Sequence, residues 1–344
     1  MPVNDHYVII GNGPAGNRAA STLRQKDNDA QITIVSDEAV PFYYKPKLTK
    51  YILDEIDLSK LMVKSLAEYS SEGIRVCLGQ SVTKIDPNSK TIYIQQGDNI
   101  QYTKLIIASG SRHRILPSME RYASSLKFVT SYDQAMEYKD QIRKAKDVFA
   151  FGGDFVGFKF VRLLTKMEKN VSLLIYPNAF WPFNLTAEVT SAIERSLLGT
   201  GVDIIQEDDI KTIAEAGTGY RVVTQKGTEK QVDLVFSFNG LIPSIEFAQG
   251  SGLELDRGIL VNEYLQTNIP DIYACGSCAQ IFNPTIKAYT TSIGWPNAVS
   301  QGELAAMNLL GGHKVIQLAG RKYFDMEGVK IKTTWWEGID EAEE

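Results

Sequence analysis

Apolar positions near the start of the chain change their spacing in a way that predicts a strand followed by a helix. Residues 8–10 form a continuous run of β-branched and apolar side chains, whereas Ala15, Ala19 and Leu23 recur at the spacing of one helix face. Between them, residues 11–16 read Gly-Asn-Gly-Pro-Ala-Gly. A G-x-G-x-x-G sequence between a strand and a helix is the pattern expected of a dinucleotide-binding turn.

Each glycine of this turn has a separate physical task. Gly11 permits the tight turn, Gly13 lets a pyrophosphate approach the backbone, and Gly16 lets the helix pack closely on the strand. The helix begins at Pro14 and Ala15, and its N-terminus supplies free backbone N–H groups from the residues after the proline, together with partial positive charge. We therefore expect a bound dinucleotide here. The alternative interpretation is a glycine turn that closes an ordinary βαβ unit.

The next predicted strand, residues 31–36, ends in two acids that could hold a ribose. A carboxylate about 20 residues beyond the glycine turn is expected to accept hydrogen bonds from the ribose hydroxyls. Asp37 and Glu38 both satisfy this spacing, and Glu38 is the preferred candidate.

The apolar pattern predicts alternating strands and helices through the rest of the chain. Strands are predicted over 74–78, 81–86, 91–94, 105–110, 147–152, 171–176, 201–205, 220–224 and 233–238, and helices over 131–143 and 185–198. The strand that ends in Ala108, Ser109 and Gly110 closes on small residues, as needed where backbone passes close to a cofactor. Residues 147–157 form a second strand, glycine turn and helix.

Composition and charge narrow the function classes. The 344 residues suit about two domains, and the net charge of −5 without a basic stripe argues against a nucleic-acid partner. A small molecule or a protein is the expected partner. A signal-peptide pattern and an uncharged stretch of transmembrane length are both missing, so we expect no membrane association and a cytoplasmic location.

The cysteines and histidines indicate neither a disulfide framework nor a metal site. The three cysteines are Cys77, Cys275 and Cys278, and the three histidines form no cluster with metal-ligand spacing. Cys275 and Cys278 are formally a C-x-x-C pair, but packing is the preferred interpretation over a redox pair. An iron–sulfur cluster would need further thiolates. We predict no metal.

Residues 41–50 resemble a segment of the pyridine nucleotide-disulfide oxidoreductase superfamily, in particular its ferredoxin and rubredoxin reductase branch. Lys45-Pro46 matches an Arg-Pro pair, and the sequence 48–50 matches Leu-Ser-Lys. The resemblance implies that Lys45 lies near the phosphates of FAD and that Lys50 lies beside the flavin ring in a catalytic role. A surface loop with solvated lysines is the alternative. Disulfide-reducing relatives carry a cysteine in this segment, and this sequence has none before Cys77.

The resemblance continues along the chain to about residue 312. Residues 108–110 match an Ala-Thr-Gly segment with Ser109 in place of Thr, and 233–244 resemble the strand that returns to the first domain. Gly276 and Ser277 occupy a Gly-Asp pair whose Asp contacts the ribityl chain, so a hydroxyl replaces a carboxylate there. The helix that begins near Trp295 and Ala298 is implied to direct its N-terminus at the flavin.

The second glycine turn departs from the pattern that nicotinamide nucleotides require. Gly152 and Gly157 are present, but Asp154 stands where the middle glycine belongs. Residues 176–178, Tyr-Pro-Asn, offer neither an acid for NAD nor an Arg for NADP. The resemblance also implies a Glu that pairs with the lysine matched by Lys50, and this position is Lys159. We therefore expect NAD(P)H to be a doubtful donor and a protein partner to supply electrons.

Together these patterns predict an α/β protein with two Rossmann-like dinucleotide-binding domains. We expect a discontinuous FAD-binding domain at 1–115 and 242–315, a degenerate NAD(P)-type domain at 116–241, and a short C-terminal segment at 316–344. The expected function is FAD-dependent electron transfer between a donor, either NAD(P)H or a reduced electron-carrier protein, and an acceptor, without a redox-active disulfide. The alternative is a flavin- or adenine-nucleotide-binding subunit with an assembly or regulatory role. The oligomeric state is left open.

Overall fold

The computed structural model describes residues 5–176, 187–284, 287–292, 294–316, 323–326 and 329–332. The elements up to residue 127 are β1 (His6–Ile10), α1 (Pro14–Lys26), β2 (Gln31–Val35), α2 (Leu48–Ile52), α3 (Leu58–Leu61), α4 (Leu66–Ser71), β3 (Ile74–Cys77), β4 (Val82–Asp86), β5 (Thr91–Ile94), β6 (Ile100–Gln101), β7 (Lys104–Ile107), β8 (Ser111–His113) and β9 (Leu126–Lys127). The middle elements are α5 (Tyr132–Lys144), β10 (Asp147–Gly152), α6 (Phe155–Lys166), β11 (Asn170–Ile175), α7 (Ala187–Leu198), β12 (Asp203–Gln206), β13 (Ile210–Ala216), β14 (Gly219–Thr224), β15 (Glu229–Val232) and β16 (Leu234–Phe238). The last elements are β17 (Leu241–Pro243), β18 (Ile259–Val261), β19 (Ile272–Ala274), β20 (Ala279–Asn283), β21 (Ala288–Thr291), α8 (Trp295–Leu309), β22 (Tyr323–Met326) and β23 (Val329–Lys332).

The first sheet has five parallel strands in the order β19-β7-β1-β2-β3. On its central strand, Ile10 lies opposite Val35 and Ile107, so the carboxyl ends of β1, β2 and β7 meet at one edge. Val8 and Ile9 are fully buried, as expected of a parallel sheet covered on both faces. The surrounding core draws side chains from α1, α8 and the antiparallel strands β4–β6.

The second sheet repeats this plan with the parallel order β12-β11-β10-β16-β9. Gly152 at the end of β10 lies opposite Ile175 and Phe238. A three-stranded antiparallel sheet, β13-β14-β15, follows β12 and leads back to β16. The predicted α/β class with two parallel strand–glycine–helix units is therefore confirmed.

The chain passes from the first sheet to the second and back along a two-stranded antiparallel ribbon. Strands β8 and β17 pair so that Arg112 lies opposite Ile242. The chain therefore passes from the first sheet to the second, and later returns, through the paired strands β8 and β17. After the return crossing, β19 hydrogen-bonds to β7 and completes the first sheet.

The segment from Tyr43 to Leu61 lies between strands β2 and β3 of the first sheet in sequence but packs against the second sheet. Tyr43, Leu48, Ile52 and Leu61 are buried in a core cluster with side chains of α5, β10 and β16. This segment, which holds the predicted Lys45 and Lys50, is thus part of the contact between the two sheets. Within the described ranges, no helix combines the length and apolar character that crossing a bilayer requires.

Candidate functional site

The first glycine turn separates packing glycines from an open one. Gly11 has a φ of +105°, and a Cβ there would lie 2.2 Å from the carbonyl oxygen of Ala108. A Cβ at Gly16 would lie 1.9 Å from the carbonyl oxygen of Gly11. A Cβ at Gly13 would meet no heavy atom of the described residues within 4 Å. Of these three glycines, only Gly13 therefore has open space where a side chain would stand, and close packing of the turn does not require a glycine there.

Helix α1 begins at this open space without a side chain over its N-terminus. Gly13 is the N-cap and Pro14 the first helical residue, and in the described structure no side chain caps the helix. An uncapped N-terminus retains N–H groups and partial positive charge that suit a phosphate. The residues present thus fit the pyrophosphate of a dinucleotide.

Strand β2 ends at this edge and places two acids differently. Asp37 is exposed, and its Oδ1 accepts a hydrogen bond from the Glu38 backbone N–H at 3.0 Å. Glu38 accepts from the Tyr43 hydroxyl at 2.7 Å and from the Lys45 ammonium at 2.9 Å. Burial, and next the Glu38 carboxylate, raise the pKa of Tyr43, so its hydroxyl remains a donor.

Segment 42–50 brings aromatic and cationic side chains to the start of α8. The ring of Trp295 stacks on Phe42 with centroids 5.4 Å apart and meets Tyr44 edge-on at 4.6 Å. Lys47 lies 5.5 Å from the Tyr44 ring centroid. Lys50 is exposed on α2. The structure therefore packs Trp295 against Phe42 and Tyr44. These two residues belong to the segment 42–50, called the lysine segment below.

The small residues after β7 and β19 lie against each other. The Ser109 hydroxyl donates to the carbonyl of Ser244 at 2.7 Å, and the Ser277 hydroxyl donates to the Ser111 hydroxyl at 3.1 Å. Gly110 has a φ of +73° and open space, among described atoms, where a Cβ would stand. The backbone beside Gly110 is thus accessible to a bound group.

Helix α8 is fastened to the loop after β19 and to α1. The Gly276 N–H donates to Gln301 Oε1 at 2.7 Å, and a Cβ at Gly302 would lie 2.1 Å from the carbonyl oxygen of Ala15. Ala298 is half-buried in the first turn of α8. The loop at Gly276 and the middle of α8 are therefore held against Ala15 of the first glycine turn. Trp295 and Ala298 lie in the first turn of the same helix.

The cysteines are packing residues in this structure. All three are free thiols, and Cys275 and Cys278 are completely buried. Burial raises the pKa of both. The Cys278 thiol donates to the backbone carbonyls of Cys275 and Ile107 at 3.2 and 3.5 Å. Buried thiols with raised pKa values are poor nucleophiles. In the described part of the chain, no His, Cys, Asp and Glu cluster could hold a metal ion.

The second glycine turn keeps its packing glycines but is capped by its own acid. A Cβ at Gly152 would lie 2.1 Å from the Phe238 carbonyl oxygen, and one at Gly157 would lie 2.6 Å from Phe238 Cβ. Asp154 is the N-cap of α6, and its carboxylate accepts from Gly157 N–H at 2.8 Å and Gly240 N–H at 2.9 Å. The N-terminus of α6, which is the positive end of the helix dipole, is therefore already capped by the Asp154 carboxylate.

Burial shifts the pKa values of two charged side chains at the second turn, and the cleft beside the turn is small. Asp154 is 8% exposed, and burial raises its pKa while the amide hydrogen bonds oppose that change. Burial lowers the pKa of Lys159. The cleft between Asp154, His113, Phe128 and Phe238 has a free volume of about 10 Å³, which is room for about one water molecule. The Tyr176 hydroxyl, at the end of β11, donates to Asp209 at 2.8 Å; residues 177 and 178 lie outside the described residues.

Comparison with known proteins identifies the family. Residues 5–302 match the family described as "Pyridine nucleotide-disulphide oxidoreductase", and the chain belongs to it. NADH-rubredoxin oxidoreductase of Clostridium acetobutylicum is 30% identical over 314 residues, which cover 88% of this chain and 74% of that one. Putidaredoxin reductase of Pseudomonas putida is 28% identical, covering 90% and 75%. The solved covalent putidaredoxin reductase–putidaredoxin complex superposes with a TM-score of 0.84 at 28% identity, covering 94% and 78%.

The comparisons bear on the predicted function. The protein is an FAD-dependent oxidoreductase that transfers electrons, and the predicted family branch is confirmed. They give no support to the alternative of an assembly or regulatory subunit. Several relatives carry NADH or NAD(+) in their names, which weakens the doubt that the sequence raised about a nicotinamide nucleotide.

Proposed function

We propose that this protein exchanges electrons between FAD and an electron-carrier protein, and that its second dinucleotide fold binds nicotinamide nucleotides weakly. The observation that carries this proposal is the contrast between two similar turns in one chain. The turn at Gly13 is open and uncapped, whereas the turn at Asp154 is closed by its own carboxylate. FAD, when bound, supplies hydride or single-electron transfer.

The proposed FAD site uses the residues that surround the open turn. Gly11, Gly13, Pro14, Ala15 and Gly16 would hold the pyrophosphate, with Lys45 nearby. Further contacts would come from Asp37 or Glu38, from Ala108, Ser109 and Gly110, and from Gly276, Ser277, Trp295 and Ala298. Lys50 is proposed to lie beside the reacting part of the ring. The carboxyl ends of β1, β2, β7 and β19 meet at one edge of the first sheet, which supports the assignment of the residues that follow these strands.

The domain limits belong to the same proposal. Residues 1–115 and 242–315 would form the FAD domain and 116–241 the second domain. Sheet membership supports these limits, since β19 returns to the first sheet and β9 to β16 contribute to the second and its antiparallel extension. Most residues of the predicted segment 316–344 lie outside the described residues.

A carrier protein as partner is proposed from the relatives. Their names refer to rubredoxin and putidaredoxin, and one solved relative is covalently joined to putidaredoxin. We extend this partner class to the present chain. Three free thiols and no disulfide are consistent with a cytoplasmic location, which is also part of the proposal.

Weak nucleotide binding follows from the charge of Asp154. A pyrophosphate about 5 Å from this carboxylate would be disfavoured by about 3 kcal/mol per unit charge at an effective dielectric near 20, about a hundredfold in affinity. The α6 N–H groups that would bind the phosphate already have an acceptor. The relatives' names speak for NADH as a donor. Because Asp154 occupies the N-terminus of α6, we nevertheless propose slow reduction by NADH or NADPH and faster exchange with a reduced carrier.

Anaerobic stopped-flow spectroscopy tests this proposal. Flavin bleaching is followed after mixing with NADH, with NADPH and with reduced rubredoxin. We expect fast bleaching by rubredoxin and slow bleaching by the nucleotides. Asp154→Gly combined with Lys159→Glu should accelerate NADH reduction, whereas Asp154→Asn, which retains the cap, should gain less. Rapid bleaching of wild-type protein by micromolar NADH would contradict weak nucleotide binding.

A further inference from the structure

The carboxylate of Glu38 is occupied on both oxygens. Oε2 accepts from the Tyr43 hydroxyl at 2.7 Å, and Oε1 accepts from the Lys45 ammonium at 2.9 Å. Tyr43 is 6% exposed, so its hydroxyl depends on protein partners. If Glu38 turned toward a ribose, a buried hydroxyl would lose its acceptor, which is costly.

The same hydrogen bonds reach the second sheet. The backbone N–H of Tyr132, the first residue of α5, donates to the Tyr43 hydroxyl oxygen at 3.0 Å and lies 3.4 Å from Glu38 Oε2. Ala135 and Ile142 anchor α5 in the core of the second sheet. The first N–H groups of a helix have no partner inside it, so Tyr43 and Glu38 supply one here. These three residues, Glu38, Tyr43 and Tyr132, are called the junction below.

Neighbouring contacts reinforce the junction. Tyr51 stacks on Tyr132 with centroids 6.2 Å apart, and the Lys139 ammonium lies 4.1 Å from the Tyr51 ring centroid. Asp54 forms ion pairs with Lys139 at 2.6 Å and with Arg143. The segment that carries Lys45 and Lys50 is therefore fastened to α5 at several points.

Asp37 differs from Glu38 because one of its carboxylate oxygens is available to accept further hydrogen bonds. Its side chain is exposed, and among the described residues Oδ1 accepts a hydrogen bond only from the adjacent backbone N–H of Glu38. In the part of the chain that the structure describes, Oδ2 has no hydrogen-bond donor. A carboxylate can accept through both oxygens, so Asp37 can receive ribose hydroxyls without breaking a protein contact.

We propose that these adjacent acids have separate tasks. Asp37 accepts the ribose hydroxyls of FAD, and Glu38 is a positioning residue that holds α5, and with it the second sheet, against the lysine segment. This inference rests on the proposed FAD site for the role of Asp37. The role proposed for Glu38 does not depend on the FAD site, because it is argued only from the hydrogen bonds among Glu38, Tyr43 and Tyr132.

Amide hydrogen exchange and FAD affinity together test the division of tasks. FAD dissociation constants are measured on apoprotein by flavin fluorescence, and exchange at the Tyr132 amide is followed with and without FAD. Asp37→Asn should weaken FAD binding roughly tenfold and leave Tyr132 exchange unchanged. Tyr43→Phe should accelerate Tyr132 exchange roughly tenfold while FAD affinity stays within about twofold. Glu38→Gln, whose amide oxygen can still accept from Tyr43, should accelerate exchange less than Glu38→Ala.

Control variants and contrary outcomes test the role of Asp37 separately from the role of Glu38. Glu137→Gln, which removes an exposed acid from the middle of α5, should change neither reading. A Glu38→Gln protein that loses FAD as strongly as Asp37→Asn, with Tyr132 exchange unchanged, would overturn the assignment. Faster Tyr132 exchange in wild-type protein on FAD addition would do the same. Failure of wild-type apoprotein to bind FAD would reject the proposed function, whereas the exchange data would still decide the junction.

Discussion

Replacing Gly13 by Asp should abolish FAD retention without unfolding the protein. Gly13 has a φ of −77° and ψ of −172°, which any residue can adopt, and a Cβ would meet no described heavy atom within 4 Å. The substitution should therefore change the free energy of unfolding by no more than about 0.5 kcal/mol. The new carboxylate would instead stand in the space proposed for the pyrophosphate.

The expected loss of affinity follows from charge and from volume. At about 5 Å and an effective dielectric near 20, a carboxylate and one phosphate charge repel by about 3 kcal/mol, which is about a hundredfold in the dissociation constant. Gly13→Asn has nearly the same volume without the charge. The difference between the two variants therefore isolates the electrostatic part.

Flavin content and urea unfolding measure both effects on the same preparations. Gly13→Asp and Gly13→Asn should unfold like the wild-type apoprotein, with Gly13→Asp binding FAD more weakly. Gly16→Ala is the contrasting variant, since its Cβ would lie 1.9 Å from the Gly11 carbonyl oxygen; it should lose about 1–3 kcal/mol or more of stability. Stoichiometric FAD in folded Gly13→Asp would refute this assignment of the turn.

Three further predictions concern thiols, the second turn and pH. Replacing all three cysteines should leave flavin reduction by a chemical reductant intact, and a thiolate–flavin charge-transfer band that disappears in Cys278→Ser would contradict this. Asp154→Ala should lower the free energy of unfolding by about 2–3 kcal/mol, because Gly157 and Gly240 lose their acceptor; unchanged urea unfolding would refute the cap. Burial lowers the pKa of His113 to about 4, so the unfolded chain binds the extra proton first, and stability should fall as pH drops from about 6.5 to about 4. His113→Gln should flatten this part of the pH profile, and an unaltered profile would count against it.

The sequence pattern is sufficient to predict structural features that depend on residues close together in the chain. The strand, glycine turn and helix at β1–α1 and at β10–α6 follow from local spacing and from the steric needs of Gly11, Gly16 and Gly152. The antiparallel pair β4–β5 follows from alternation around a turn. Strand β13 was missed, since its alternation is weak and only Ile210 and Ile213 are buried in it.

Contacts between distant residues could not be predicted in the same way. The sequence pattern presents Asp154 as an obstacle to phosphate. Its capping role can also be predicted locally, because Asp is a favoured N-cap residue. Its second bond, from Gly240, joins residues 86 positions apart. The bond from Tyr132 to Tyr43 joins residues 89 apart, and only the fold brings them together.

An anaerobic reductive titration of the purified protein decides whether it is a flavoprotein without a redox-active disulfide. We expect a flavin spectrum, after reconstitution with FAD if needed, that is bleached by one electron pair per flavin. A protein that cannot be loaded with FAD would refute the proposed function, and uptake of a second electron pair by a disulfide would refute the absence of a thiol relay.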